Sequence, residues 1–224
     1  MAKFKNALTS SIGKKFVMGL TGLLLVGFVL VHLLGNLLLY VGFEKYNHYA
    51  HALHSKPVLI MVAEIGLLLL FSAHIYLAFY TTRENRRARP QGYAMKKSKQ
   101  GQTAATPSAL MFISGAIILG FVLLHLADFR FELHNHGDFG EEPADKALRL
   151  LQDPISAAVY FLGSLFLGWH LLHGFQSGFQ TLGLNHSKYT PWIKRIGIVL
   201  AILLGIGFAS FPTWAILKKW GILP

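Results

Sequence analysis

The sequence predicts an all-α membrane protein whose chain crosses a bilayer five times. Three observations carry this. Only 14% of the 224 residues are charged and 53% are hydrophobic, against about 25% charged in a soluble domain. The apolar residues fall into five charge-poor runs. Each run reaches the roughly 20 residues that a helix needs to cross the hydrocarbon core. Helices are expected rather than strands, because backbone groups in lipid must be satisfied internally and barrels give short alternating segments.

The spans follow in chain order. The first, about 16–42, lies in Phe16–Phe43, which holds no Asp, Glu, Lys or Arg. That run is too long for a secretory signal and lacks a small-residue cleavage site. The second, 57–82, carries one charge, Glu64. The third, 107–129, turns strongly apolar from Pro107 onward. The fourth, 154–183, lies in the uncharged run Pro154–Ser187, and the fifth, 194–217, surrounds Ile196–Leu217. Segments 44–56 and 131–153 each have room for a short interfacial helix. Leu148 and Leu151 with Lys146 and Arg149 mark an amphipathic turn after Pro143. The chain 1–224 reads as one transmembrane domain without internal repeats.

The net charge is +11, and its distribution sets an orientation. Lys3, Lys5, Lys14 and Lys15 precede the first span. Arg83, Arg86, Arg87, Arg89, Lys96, Lys97 and Lys99 follow the second against a single Glu84, and Lys188, Lys194 and Arg195 precede the fifth. The alternate segment 128–153 is acidic, with Asp128, Glu132, Asp138, Glu141, Glu142, Asp145 and Asp153. The positive-inside rule then places the N-terminus inside and the C-terminus outside a cytoplasmic membrane, with Lys218 and Lys219 as a mild exception. Nucleic acid is not an expected partner, since basic and aromatic residues do not interleave. The chain has no cysteine, which excludes disulfides, thiolate catalysis and Cys-ligated clusters.

Five of the 11 histidines lie inside spans: His32, His74, His125, His170 and His173. Ionisable residues at such depth are expensive and point to function. His32 and His125 each lie about 24 Å into spans that start inside, at 1.5 Å per residue. His74 and His170 lie equally far into spans that start outside. Four histidines on four helices thus form two depth-matched pairs, with His173 a turn further on. Two pairs of facing imidazoles in a helical bundle suggest two six-coordinate haem b groups. Small residues near the ligands (Gly163 and Gly174 with His170, Ala78 with His74, Gly35 and Asn36 with His32) suit a closely approached macrocycle or plain helix packing. Zinc at His48, His51 and His54 is disfavoured, because the spacing spreads them around a helix.

At this point the chain resembles the five-helix, dihaem cytochrome b membrane anchor of succinate dehydrogenase and fumarate reductase. The stretches that carry the resemblance are SIGKK at 11–15, HLLGN at 32–36, AHIYLAFYTTRENRRARPQGY at 73–93, LLHLADFR at 123–130 and WHLLHGFQSGFQTLGLNH at 169–186. It implies a distal haem on His32 and His125 and a proximal haem on His74 and His170, with His173 the alternative to His170. It also implies an iron–sulfur subunit docked on the basic inner face, a flavoprotein subunit beyond it, and electron transfer to membrane quinone, with menaquinone the expected species. The chain carries no dicarboxylate chemistry of its own.

Glu64 is the only carboxylate deep in a span, and His51, His54 and Arg130 are its candidate companions at an outer quinone site. Arg130 is equally a candidate partner for a haem propionate. The inner alternative uses Ser11, Lys15 and the Arg83–Arg89 cluster. One departure stands out: some dihaem relatives carry a proton-moving glutamate two residues before the fourth ligand, and here that position is Gly168. The rival readings are a dihaem cytochrome b of another quinone-linked dehydrogenase, a haem-free proton transporter and a cofactor-free anchor.

Overall fold

Prolines and short polar side chains start the helices. The computed structural model describes residues 10–88, 107–133 and 140–223. Lys3, Lys5, Arg89, Lys96, Lys97, Lys99 and Asp138 lie outside the described residues. The helices are α1 (Ser11–Asn36), α2 (Leu38–Val41), α3 (Phe43–His54), α4 (Pro57–Ala88), α5 (Pro107–Phe129), α6 (Pro143–Leu151), α7 (Pro154–Thr181) and α8 (Thr190–Lys219). No strand occurs among the described residues. Five helical stretches are long and apolar enough to cross a membrane: α1 with α2, then α4, α5, α7 and α8.

Local chemistry explains the starts and stops. The Ser10 hydroxyl accepts from the Gly13 N–H at 3.1 Å, and Asp153 accepts from the Ser156 N–H at 2.8 Å. Each satisfies a backbone donor that the first helical turn leaves unpaired. Proline occupies the first turn of α6, α7 and α8, where its missing N–H costs nothing. Gly42, at φ +147°, separates α2 from α3. Several helices run past the charge-free stretches. α1 begins at Ser11 rather than 16, and α4 continues from 82 to Ala88. A charged residue marks the edge of the apolar layer but does not break a helix. Lys14, Arg83, Arg86 and Arg87 therefore ride on helical turns.

The spans form an incomplete ring with one helix outside it. α1 packs on α4 and on α7, and α5 packs on α7, but α4 and α5 meet at few places. α8 lies along α7 in the most extensive contact of the molecule. Its seam is made of small residues. A Cβ on Gly168 would stand 2.9 Å from the Ala201 carbonyl oxygen and 3.1 Å from the Gly205 Cα. Close backbone approach of this kind is how helices associate without a hydrophobic driving force between them.

The two ends of the ring differ. One, the basic end, carries the start of α1, the last turns of α4 and the start of α8. The other, the acidic end, carries α3 and α6. There α6 buries Ala144, Ala147, Leu150 and Leu151, so the amphipathic face includes Leu151 but centres on the two alanines and Leu150, with Leu148 only partly buried. Lys146 reaches Glu132 at 2.6 Å and Arg149 grips Glu141 through two contacts of 2.8 and 2.9 Å. The apolar core continues from α6 into the ring through Leu39, Tyr160, Leu33 and Leu204. Along α4 the outward side chains Val58, Leu59, Val62, Leu68 and Leu69 are more than half exposed, as a lipid-facing surface requires.

Candidate functional site

His74 on α4 and His170 on α7 lie nearer the basic end, His74 against α1 and His170 against α5. Each has its Nδ1 occupied. His74 Nδ1 lies 3.2 Å from the Met18 carbonyl and 3.4 Å from the Thr21 hydroxyl. That hydroxyl donates to the Val17 carbonyl at 2.9 Å. His170 Nδ1 lies 3.1 Å from the Ser114 hydroxyl, which also lies 3.1 Å from the Met111 carbonyl. Since the carbonyl can only accept, the His74 imidazole N–H is the donor there, which puts the proton on Nδ1 and leaves the Nε2 lone pair free. The Ser114 hydroxyl has one proton and two partners at 3.1 Å, so its bond to His170 Nδ1 runs in either direction. A second nitrogen that donates to a carbonyl fixes the ring and raises the basicity of the one that would ligate.

Glycines that the sequence reading did not single out lie beside these rings, Gly22 tightly and Gly115 at ordinary contact distance. A Cβ on Gly22 would stand 3.0 Å from His74 Cε1, and one on Gly115 would stand 3.5 Å from His170 Cε1. Thr21 and Ser114 went unnoticed too. Their signal is a hydroxyl followed by glycine within an apolar run, on the half of the bilayer that also holds His74 and His170.

Towards the acidic end, His32 on α1 and His125 on α5 form the second pair, with ring centres 5.9 Å apart and planes at 77°. Phe28 stacks on His32 at 5.6 Å and Phe208 lies 5.7 Å away. Phe121, Phe129 and Tyr160 surround His125 at 5.2 to 6.1 Å. The Tyr160 hydroxyl donates to Asp128 at 2.8 Å. Asp128 thus belongs to the end of α5 and to this site, although the sequence reading counted it with the following loop.

The remaining candidates are dispersed. Glu64 on α4 is held by Arg130 in a two-pronged ion pair of 2.7 and 3.1 Å. His51 pairs instead with Glu142 at 2.8 Å, and His54 bonds to the Ala50 carbonyl of its own helix. The structure therefore joins Glu64 to Arg130 but brings neither His51 nor His54 to them. Among the described residues no hydrogen bond, ion pair or ring contact involves His173. Two of the small residues serve packing. The space at Gly163 is filled by the Phe121 ring and that at Gly35 by the Tyr49 ring, whereas Gly174 keeps ordinary contacts with His170 and Met111. At Gly168 the backbone of α8 fills the position where a side chain would project, so a carboxylate has no room there.

The spacing of the His32–His125 pair is compatible with two imidazoles on one metal ion. Two imidazoles on opposite sides of one metal ion have ring centres about 6 Å apart, given metal–nitrogen bonds of about 2 Å and ring centres roughly 1 Å behind each nitrogen. His32 and His125 stand at that spacing, and His74, with its Nδ1 proton on the Met18 carbonyl, keeps its Nε2 free. Among the described residues no three His, Asp or Glu side chains converge as a bare metal ion would require. No family model, curated protein or solved structure matches this chain.

Proposed function

We propose that the chain is the dihaem cytochrome b membrane anchor of a succinate:quinone oxidoreductase. The observation that supports this most directly is the pairing of histidines from four different helices at two depths. His32 and His125 would hold the haem nearer the acidic end, and His74 and His170 the one nearer the basic end. When bound, the two haems supply one-electron transfer across the bilayer towards a quinone, with menaquinone the expected species. With His32 and His125 on one iron and His74 and His170 on the other, no open position would remain for oxygen chemistry at the metal.

The protein's own residues then divide the work. The Met18 carbonyl, Thr21 and Ser114 orient the ligands nearer the basic end. Phe28, Phe208, Phe121 and Phe129 exclude water around the other pair. The basic end faces the inside in this reading. There it receives an iron–sulfur subunit that carries electrons from a flavoprotein subunit, in a cytoplasmic membrane. At the acidic end, the Glu64–Arg130 pair is the nearest candidate to hold or exchange a proton for quinone chemistry, without His51 and His54.

The test is haem stoichiometry. A reduced-minus-oxidised spectrum and a pyridine haemochrome assay on the detergent-extracted complex should give two low-spin haems b per chain. Replacing His32 or His125 should remove one, and replacing His74 or His170 the other. A folded preparation without haem refutes the reading and turns attention to proton transport by the same histidines.

A further inference from the structure

At the basic end the sparse contact between α4 and α5 opens into a cleft of about 360 Å³ lined by Phe79, Thr82, Arg83, Arg86, Arg87 and Phe112. Three guanidiniums surround an aromatic floor, and Arg86 lies 5.6 Å above the Phe112 ring. Among the described residues these charges lack a counter-charge. Of the chain's ten acidic residues, only Glu84 belongs to this end of the sequence, and Lys14 holds it at 3.4 Å. The eight other acids among the described residues lie towards the acidic end or in the segments around it. Among the described residues no carboxylate pairs with Arg83, Arg86 or Arg87.

Depth identifies where the counter-charge resides. α4 has 32 residues and is about 48 Å long at 1.5 Å per residue. With Pro57 at the outer edge of the headgroup layer, the roughly 40–45 Å of bilayer ends between about Glu84 and Arg87, and its inner headgroup layer begins about 5–7 Å before that. Thr82, Arg83 and Arg86 thus lie at phosphate level. Tyr76 and Phe79, at 64% and 58% exposure, continue the cleft down the apolar outer surface. A headgroup above and acyl chains below is the shape of a phospholipid. A docked protein would not use the part of the cleft that faces the bilayer.

We propose that this cleft is a specific site for an anionic phospholipid. The phosphodiester is bound by Arg83, Arg86 and Arg87 with the Thr82 hydroxyl beside it, and the chains lie over Phe79 and Phe112. Basic recesses between helices at a membrane surface are suited to such headgroups.

The experiment reads lipid retention on the full chain in its extracted complex. Native mass spectrometry after reconstitution with phosphatidylglycerol and phosphatidylcholine should show one retained phosphatidylglycerol. A basic residue at the surface is worth about fivefold in affinity, so Arg83→Gln, Arg86→Gln and Arg87→Gln together should weaken retention on the order of a hundredfold. The triple lysine variant should keep part of it, which separates lost charge from misfolding. Lys188→Gln, Lys194→Gln and Arg195→Gln, on the same end but away from the cleft, should leave retention unchanged. Equal retention by the triple glutamine variant overturns the proposal. So does displacement of the lipid by millimolar inorganic phosphate, which marks a free-anion site. Haem content falling in step with the lipid makes the occupant a haem carboxylate, and loss of a partner subunit with lipid retained makes the cleft a protein-docking surface. Either result also overturns it. Haem content is measured separately, so the lipid site can fail without the haem reading failing.

Discussion

Replacing Gly168 with alanine tests the α7–α8 seam. The new methyl would stand 2.9 Å from the Ala201 carbonyl oxygen and 3.1 Å from the Gly205 Cα, where ordinary contacts begin at 3.4 Å. Both neighbours are backbone atoms, so no rotamer change relieves the clash and the helices must separate by a few tenths of an ångström. Such overpacking costs about 1–3 kcal/mol. At about 2–4 °C per kcal/mol for a chain of this size, the unfolding midpoint should fall by roughly 2–12 °C. The assay is thermal unfolding in detergent, followed by size-exclusion fluorescence. Gly66→Ala is the control, because nothing lies within 4 Å of a Cβ there and alanine favours the helix by about 1 kcal/mol. Gly168→Glu should be worse than alanine and should fail to assemble. A Gly168→Ala protein as stable as Gly66→Ala would refute the close seam, and with it the physical reason why this chain has no glutamate at that position.

Three other outcomes are expected. In the proposed haem reading Nε2 of His170 ligates and Nδ1 carries the proton, so Ser114→Ala removes the acceptor of that proton and makes the ligand less basic. One haem potential should therefore rise by about 20–60 mV, from a hydrogen bond of about 0.5–1.5 kcal/mol at 59 mV per tenfold for one electron; a potentiometric titration in which neither wave moves, or both do, would contradict the assignment. Leu33→Ala empties a site that is 1% exposed and packed against Gly207. It should cost about 2–5 kcal/mol, and an unchanged unfolding midpoint would show that the α1–α8 contact is loose. Asp153 has its carboxyl held below the usual range, first by the Ser156 backbone N–H and then by the Ser156 side chain. Its folded pKa is depressed, so its contribution is complete above the ordinary value of about 3.9 and is lost as the pH falls from there through the lower folded value. The stability gap between wild type and Asp153→Ala should be constant near neutrality and close in acid. A gap that persists in acid would mean that Asp153 acts uncharged.

The five spans, and the depths of the histidines within them, were legible in the sequence because the bilayer imposes a one-dimensional rule. Chain length multiplied by helical rise is depth, and charge marks the edges. That rule put His32 level with His125 and His74 level with His170 before any contact was known. It could not say which way a side chain turns around its helix. Rotation about the axis is decided by packing, and packing separated Glu64 and Arg130 from His51 and His54. Packing also filled the space at Gly163 and Gly35 with Phe121 and Tyr49, and it placed Asp128 under Tyr160. The Nδ1 partners of His74 and His170 come from helices far away in sequence, so only the tertiary structure could supply them. The same holds for the arginine cleft. Its charges are plain in the sequence, but the gap that gathers them follows from α4 packing on α1 and α5 on α7 rather than on each other.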